Sequence, residues 1–250
     1  MTIDEFVEQM KKKVSTGLLK VSGGAKLSTR NWTFSGGRAE ITVIRGGAIE
    51  KAAIQHLVLE NISQPGMPGK LDAFVFHIKV FPVNPYCPMG HFNTEWVRNG
   101  MRSYSIVLDL FPAIPVKEDL ETMKTAMNGV ADKFGRDREK SRDVLVTQYN
   151  MEHFASPLAA RVGLKLPGIE EKNLDVLFAA HETFLKVYLD IFNKRKDSPY
   201  TDSDVRLKLE RNGKWLQYLM LKDGAVKAGR AHGIPPEVFI EMGFPPVASF

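Results

Sequence analysis

The sequence contains one cysteine, Cys87, in 250 residues, so no intrachain disulfide can form and a reducing compartment is expected. It has no apolar run approaching the roughly 18 residues that would cross a bilayer. The amino terminus, MTIDEFVEQMKKKV, scatters acids among its apolar residues, which is unlike a signal peptide and poor for a transit peptide. Together these absences predict a cytoplasmic protein without a membrane partner. Chemical signatures are equally sparse: no glycine-rich phosphate loop, no HExxH, no paired CxxC and no GxSxG. His181 and Glu182 have no further residue at metal-ligand spacing, so no metal site is expected. Net charge is +5, too modest an excess to select among nucleic acid, acidic lipid and a polycarboxylate. The alternating signs from Arg136 to Arg142 read as a solvated helix face, so no nucleic-acid partner is expected.

What is present is an ordered change of periodicity. Thr2 to Val14 places Ile3, Phe6, Val7 and Met10 on one helical face, with Thr2 capping above Glu5. Glycine pairs at 23–24 and 36–37 then break the chain. From Gly37 to Pro112 the pattern is β: Arg38–Arg45, Ile49–Glu60, Leu71–Phe81 and Tyr104–Phe111 are strands, with a loop from Asn61 to Lys70. Helical spacing follows in Val116–Phe134, Arg136–Phe154, Leu174–Lys194 and, more briefly, Thr201–Leu209. Lys214–Lys222 alternates again and predicts a late strand, followed by a short helix from Pro235 to Met242. Sequential strands joined by short turns imply an antiparallel sheet, and the late strand makes one α+β domain over residues 1–250 the expected organisation.

Four groups of residues invite a chemical reading. Pro82, Pro85 and Pro88 stiffen a loop after the strand that ends at Phe81, and His91 and Asn93 then fall on one side of an extended segment. Such a loop either presents a site or serves as a rigid connector with a structurally bonded histidine. Asp109 interrupts Ile106–Phe111, as a buried carboxylate of raised pKa or as a cap on the turn at Pro112. His77 and Lys79 share a strand side with Phe81 and mark a solvent face or a polar pocket; charge alone favours the solvent face. Lys51, Gln55 and His56 pose the same alternative on the preceding strand.

Read in order, these segments resemble the oxygen-dependent coproporphyrinogen III oxidases. The resemblance rests on Trp32 with Ser35-Gly36-Gly37, on Gly47-Ala-Ile-Glu-Lys-Ala52, and above all on Phe81-Pro-x-Asn-Pro-Tyr-x-Pro88 followed by His91-x-Asn93. Asp109-Leu-Phe-Pro112, Phe184-Leu-x-x-Tyr188, Lys194 to Tyr200, Arg211-Asn-Gly213, Asp223-Gly224 and Pro245-Pro246 extend it. The family implies a flat antiparallel sheet between helical layers in a homodimer. It also implies oxidative conversion of porphyrinogen propionates to vinyl groups by dioxygen, without metal or organic cofactor. Such chemistry needs a base at a pyrrole N–H, assigned by the resemblance to Asp109, with His91 and Asn93 orienting substrate or oxygen. Substrate contacts are expected from Gln55, His77, Lys79 and residue 95, and from Arg161 and Lys165 for the propionates.

The chain departs from the family signature at Phe81 for histidine, Met89 for threonine, Glu95 for arginine and Gln55 for asparagine, while Glu170 or Glu171 is the candidate for a second acid. Arginine to glutamate reverses an interaction of about 4 kcal/mol for unit charges about 4 Å apart at an effective dielectric near 20. Two alternatives to the oxidase therefore stand. One is a homologue that oxidises a different electron-rich ring substrate; the other is a tetrapyrrole binder without catalysis.

Overall fold

The computed structural model describes residues 1–63, 69–99 and 101–250. Seven strands form one antiparallel sheet in simple sequential order: β1 Lys26–Phe34, β2 Gly37–Gly46, β3 Ile49–Ser63, β4 Lys70–Pro82, β5 Met89–Asn99, β6 Met101–Phe111 and β7 Leu164–Ile169. The helices are α1 Ile3–Ser22, α2 Lys117–Lys133, α3 Arg138–Gln148, α4 Leu174–Arg195, α5 Asp202–Leu221, α6 Gly224–Ala231 and α7 Pro236–Gly243. The class is α+β, as the periodicities predict.

The two sheet faces differ because side chains alternate along each strand. One face carries Ile54, Phe76, Ile78, Val80, Phe92, Ile106 and Leu108, which pack under α1, α2 and α4 as the main core. Burial of a side chain of this size contributes about 1.5–3 kcal/mol, so this face accounts for much of the stability. The opposite face holds two smaller apolar clusters. Phe81, Met89, Val107 and Phe111 meet Leu145, Tyr149, Trp215, Tyr218 and Leu219 from α3, α5 and the turn after α3. Ala39, Ile41, Val43, Ala53 and Leu57 meet Ile234, Val238 and Met242 in and before α7.

Several expectations need correction. The predicted strand Lys214–Lys222 is helical, being the second half of α5 and its carboxyl end. Trp215, Tyr218 and Leu219 are its buried residues, at helical spacing. Gly213 sits inside the helix, where the carbonyl oxygen of Ser249 would lie 1.9 Å from a Cβ. Glycine admits close approach of the carboxyl-terminal tail rather than ending the element. The late strand is instead β7, inside the 161–171 stretch. Helix α1 has the Thr2–Glu5 capping box as predicted but runs two turns beyond Val14, to a left-handed Gly23. Helix α3 is shorter than Arg136–Phe154. Of the loop expected at 61–70, Asn61–Ser63 continue β3, Lys70 opens β4, and residues 64–68 lie outside the described residues.

Candidate active site

Antiparallel register brings the candidate residues into rows across the second face. Gln55 pairs with His77, His77 with Asn93, Asn93 with Val107 and Val107 with Lys165. The next row runs Ala53, Lys79, His91, Asp109. On the other side lie Leu57, Val75, Glu95 and Ser105. Directly opposed residues share a face, so three rows gather polar groups from four strands between the two apolar clusters.

The proline loop sets this register but does not enter the site. Asn84 accepts from the Tyr86 amide at 2.9 Å and donates to the carbonyls of Lys196 and Ser198 at 3.2 and 2.8 Å. Tyr188 donates to the Pro88 carbonyl at 3.1 Å. A rigid brace against the end of α4 therefore fixes where β5 begins, and His91 falls opposite Lys79.

A cavity of about 840 Å³ opens above these rows, bounded by the end of α5, by α6 and by α7. Gln55, His77, Lys79, His91, Asn93 and Glu95 line it, with Tyr149, Tyr218, Phe239 and Phe244 among its walls. Asp109, Arg161 and Lys165 do not line it. The volume falls within the range of small-molecule sites, and apolar walls with a few convergent polar groups are their usual make-up.

Lys79 is 3% exposed, which corrects the solvent-face expectation. Its ammonium lies 4.9 Å from the Trp215 ring centroid and has no hydrogen-bond partner among the described residues. Burial lowers its pKa to about 8. Lys51 is also buried, and it donates to the carbonyls of Ile240, at 3.0 Å, and Phe244, tying the end of α7 to β3. His91 is held by Tyr149: the phenol oxygen and Nε2 are 3.1 Å apart, and either can donate according to the imidazole tautomer. Burial, with Lys79 nearby, drives His91 and His77 well below the ordinary histidine range, so both imidazoles are neutral. Their rings meet edge to face at 4.8 Å. His77 Nε2, His91 Nδ1 and Asn93 Oδ1 are buried without a partner among the described residues. A stranded polar atom costs about 1–3 kcal/mol, so these three take partners from what fills the cavity, water or a ligand.

Asp109 is the buried carboxylate of raised pKa that its sequence position suggested, and it does not cap the turn at Pro112 but binds backbone amides. Its carboxylate accepts from the amides of Arg161 at 2.9 Å, Val162 at 3.1 Å and Gly163 at 2.9 Å. Burial pushes its pKa up to about 6, against these donors and the amide of Leu110. The carboxylate thus clasps the entry to β7 and stands outside the cavity lining. Arg161 is a surface residue paired with Asp143 and Glu139. Lys165 donates to Gln148, which itself lines the cavity. Of the second-acid candidates, Glu170 pairs with Lys172 and Glu171 accepts from Tyr104 at 2.5 Å, both outside the cavity lining. Tyr149 and Tyr218 went unnoticed in the sequence; helical spacing through Trp215, Tyr218 and Leu219 is the signal that finds the latter.

Tyr149→Phe removes the only partner of His91 Nε2 among the described residues. A loss of about 1–2 kcal/mol in denaturant unfolding is expected. Unchanged stability would mean that the pair contributes nothing.

An α+β chain with an aromatic-walled cavity floored by His, Asn, Lys and Glu has the make-up of a small-molecule site. More particularly, this chain belongs to the coproporphyrinogen III oxidase family, whose model matches residues 2–250. Its structure is similar to that of phytochromobilin synthase from tomato, solved in complex with biliverdin, with a TM-score of 0.59 and 12% identity over 91% of this chain and 79% of that one. At that identity the likeness is one of fold. Family membership gives the chain a tetrapyrrole-related function. No helix among the described residues is long and apolar enough to cross a membrane.

Proposed function

We propose that the protein is an oxidoreductase acting on a tetrapyrrole held in this cavity. The observation that carries the reading is the set of unpartnered polar atoms on His77, His91 and Asn93, gathered on one sheet face beneath the cavity. His91, buttressed by Tyr149, and Asn93 orient the ring system, and Lys79 receives a carboxylate. In the oxidase form of the reaction, a propionate loses carbon dioxide and two hydrogens, which reduce dioxygen to hydrogen peroxide and leave a vinyl group. The chain's residues would position the ring and exclude water, and no metal or organic cofactor is invoked.

A second reading, oxidation or reduction of an open-chain tetrapyrrole, draws support from the charges around the cavity. The cationic lining side chains are lysines: Lys79, Lys222 and Lys227, with no arginine fork among the described residues. Lys222 is committed to the carbonyls of Thr147 and Asn150 at 2.9 and 2.6 Å. That is a small provision for four propionates, and it suits a ligand with fewer carboxylates, such as the biliverdin bound by the tomato protein.

Anaerobic incubation with coproporphyrinogen III, followed by admission of oxygen, separates the readings. Vinyl product with peroxide supports the oxidase. Its absence, with biliverdin bound, supports the open-chain reading. Binding of either pigment without conversion under oxidising or reducing conditions leaves a carrier.

A further inference from the structure

Glu95 and Asn93 are two residues apart on β5 and therefore project from the same face, into the cavity. Asn93 Nδ2 donates to Glu95 Oε1 at 2.7 Å. That bond fixes the amide, because the flipped rotamer would set carbonyl oxygen against carboxylate. Asn93 Oδ1 is consequently the buried atom left without a partner. Glu95 is half-buried; its Oε2 has no hydrogen-bond partner, and Glu95 forms no salt bridge, among the described residues. Two acceptors thus stand side by side, one anionic, each without a donor. Lys79 feels the charges of Asp223 and Glu95, and Lys165 that of Glu95, but neither lysine makes a hydrogen bond or salt bridge to Glu95 among the described residues.

A pair of acceptors at the floor of an apolar chamber calls for paired donors on the ligand. A ligand carboxylate there would be repelled, whereas pyrrole N–H groups satisfy both atoms. Asp109 does not line the cavity, and its oxygens accept from the amides of residues 161–163.

We propose that Glu95 and Asn93 form the clamp for the pyrrole N–H groups of the substrate, so that the acid facing the ring nitrogens lies on β5 rather than at the end of β6. The inference rests on the tetrapyrrole reading and specifies which part of the pigment is recognised. The ligand class is an N–H-bearing pyrrole array, cyclic or open, whose carboxylates lie away from Glu95. The clamp also makes Glu95 a determinant of specificity at the position where the family signature carries arginine.

The test is anaerobic equilibrium titration of the full chain and of Glu95→Gln with coproporphyrinogen III and with biliverdin, after thermal melts establish that both proteins are folded. Glutamine keeps the shape and the bond from Asn93 but loses the charge. We expect Glu95→Gln to bind the preferred pigment at least tenfold more weakly. A second readout is the pH at which bound biliverdin takes up a proton on its nitrogens, followed by its absorption band. A neighbouring carboxylate stabilises the cation, so that pH should be at least one unit higher in the wild type than in Glu95→Gln, a difference that a merely structural role does not produce. Equal or tighter binding by Glu95→Gln, or an unmoved protonation pH, overturns the clamp and leaves the tetrapyrrole reading standing. Failure of the wild type to bind either pigment overturns that reading and the clamp with it.

Discussion

Asp109→Ala should destabilise the protein by about 3 kcal/mol or more while leaving pigment affinity in the folded fraction within about twofold. The substitution strands three buried amides at once, those of Arg161, Val162 and Gly163. Each buried donor without an acceptor costs about 1–3 kcal/mol. Water cannot readily replace the carboxylate, because the segment is pressed onto β6: a Cβ at Gly163 would lie 1.7 Å from the Leu108 carbonyl oxygen and 3.0 Å from Asp109 Cα. Arg161 is held there at a positive φ of 63°, which the clasp helps to maintain. For a chain of this size the melting temperature should fall by about 2–4 °C per kcal/mol. The pH dependence carries a definite sign. With its pKa raised to about 6, Asp109 binds its proton more tightly folded than unfolded. Its contribution is therefore greatest below about pH 4 and declines as pH rises to about 6. A variant that melts like the wild type but has lost all turnover would restore Asp109 as the catalytic base.

Lys79→Met should have the opposite pair of effects: a more stable empty protein and a weaker binder. The ammonium is buried over Trp215 with no hydrogen-bond partner among the described residues, and methionine fills a similar volume without a charge. Burial lowers the Lys79 pKa to about 8 from its ordinary value of 10.5, which corresponds to a gain on the order of 3 kcal/mol for the variant at neutral pH. The unfolded chain holds this proton more tightly than the folded one between about pH 8 and about pH 10.5. The destabilisation by Lys79 is accordingly full below about pH 8 and is relieved as pH rises through that window, where the two melting curves should converge. If Lys79 anchors a carboxylate, affinity for a carboxylated pigment should fall at least tenfold. A variant that is less stable, with affinity intact, would mean that the lysine is structural.

Legibility in the sequence followed periodicity. Strands β2 to β4 and β6 alternate apolar residues and were readable. Strand β1 is largely exposed and offers no such contrast, so it left no signal. The second half of α5 was misread because residues 214–222 mimic the alternation of a strand, and the reason for Gly213 inside the helix lies in Ser249, thirty-six positions away. The gathering of Gln55, His77, Lys79, His91, Asn93 and Glu95 was implicit in strand parity once the register was known, but register depends on the brace that Asn84 makes to α4. What separates Asp109 from the cavity is a set of backbone amides from residues 161–163, in a stretch without periodic pattern; no side-chain motif announces them. Glu95 was conspicuous only as a reversed charge, and its neighbours Asn93 and Lys79 supplied its meaning.

Everything functional in this account depends on the pigment occupying the chamber between the polar rows of β3–β5 and helices α5 to α7. A crystal structure of the protein soaked anaerobically with biliverdin tests this directly. Continuous ligand density is expected over His77, His91 and Asn93, with ring nitrogens within hydrogen-bond distance of Glu95. Density for the pigment anywhere else on the molecule, with this chamber empty at saturating ligand, would contradict it.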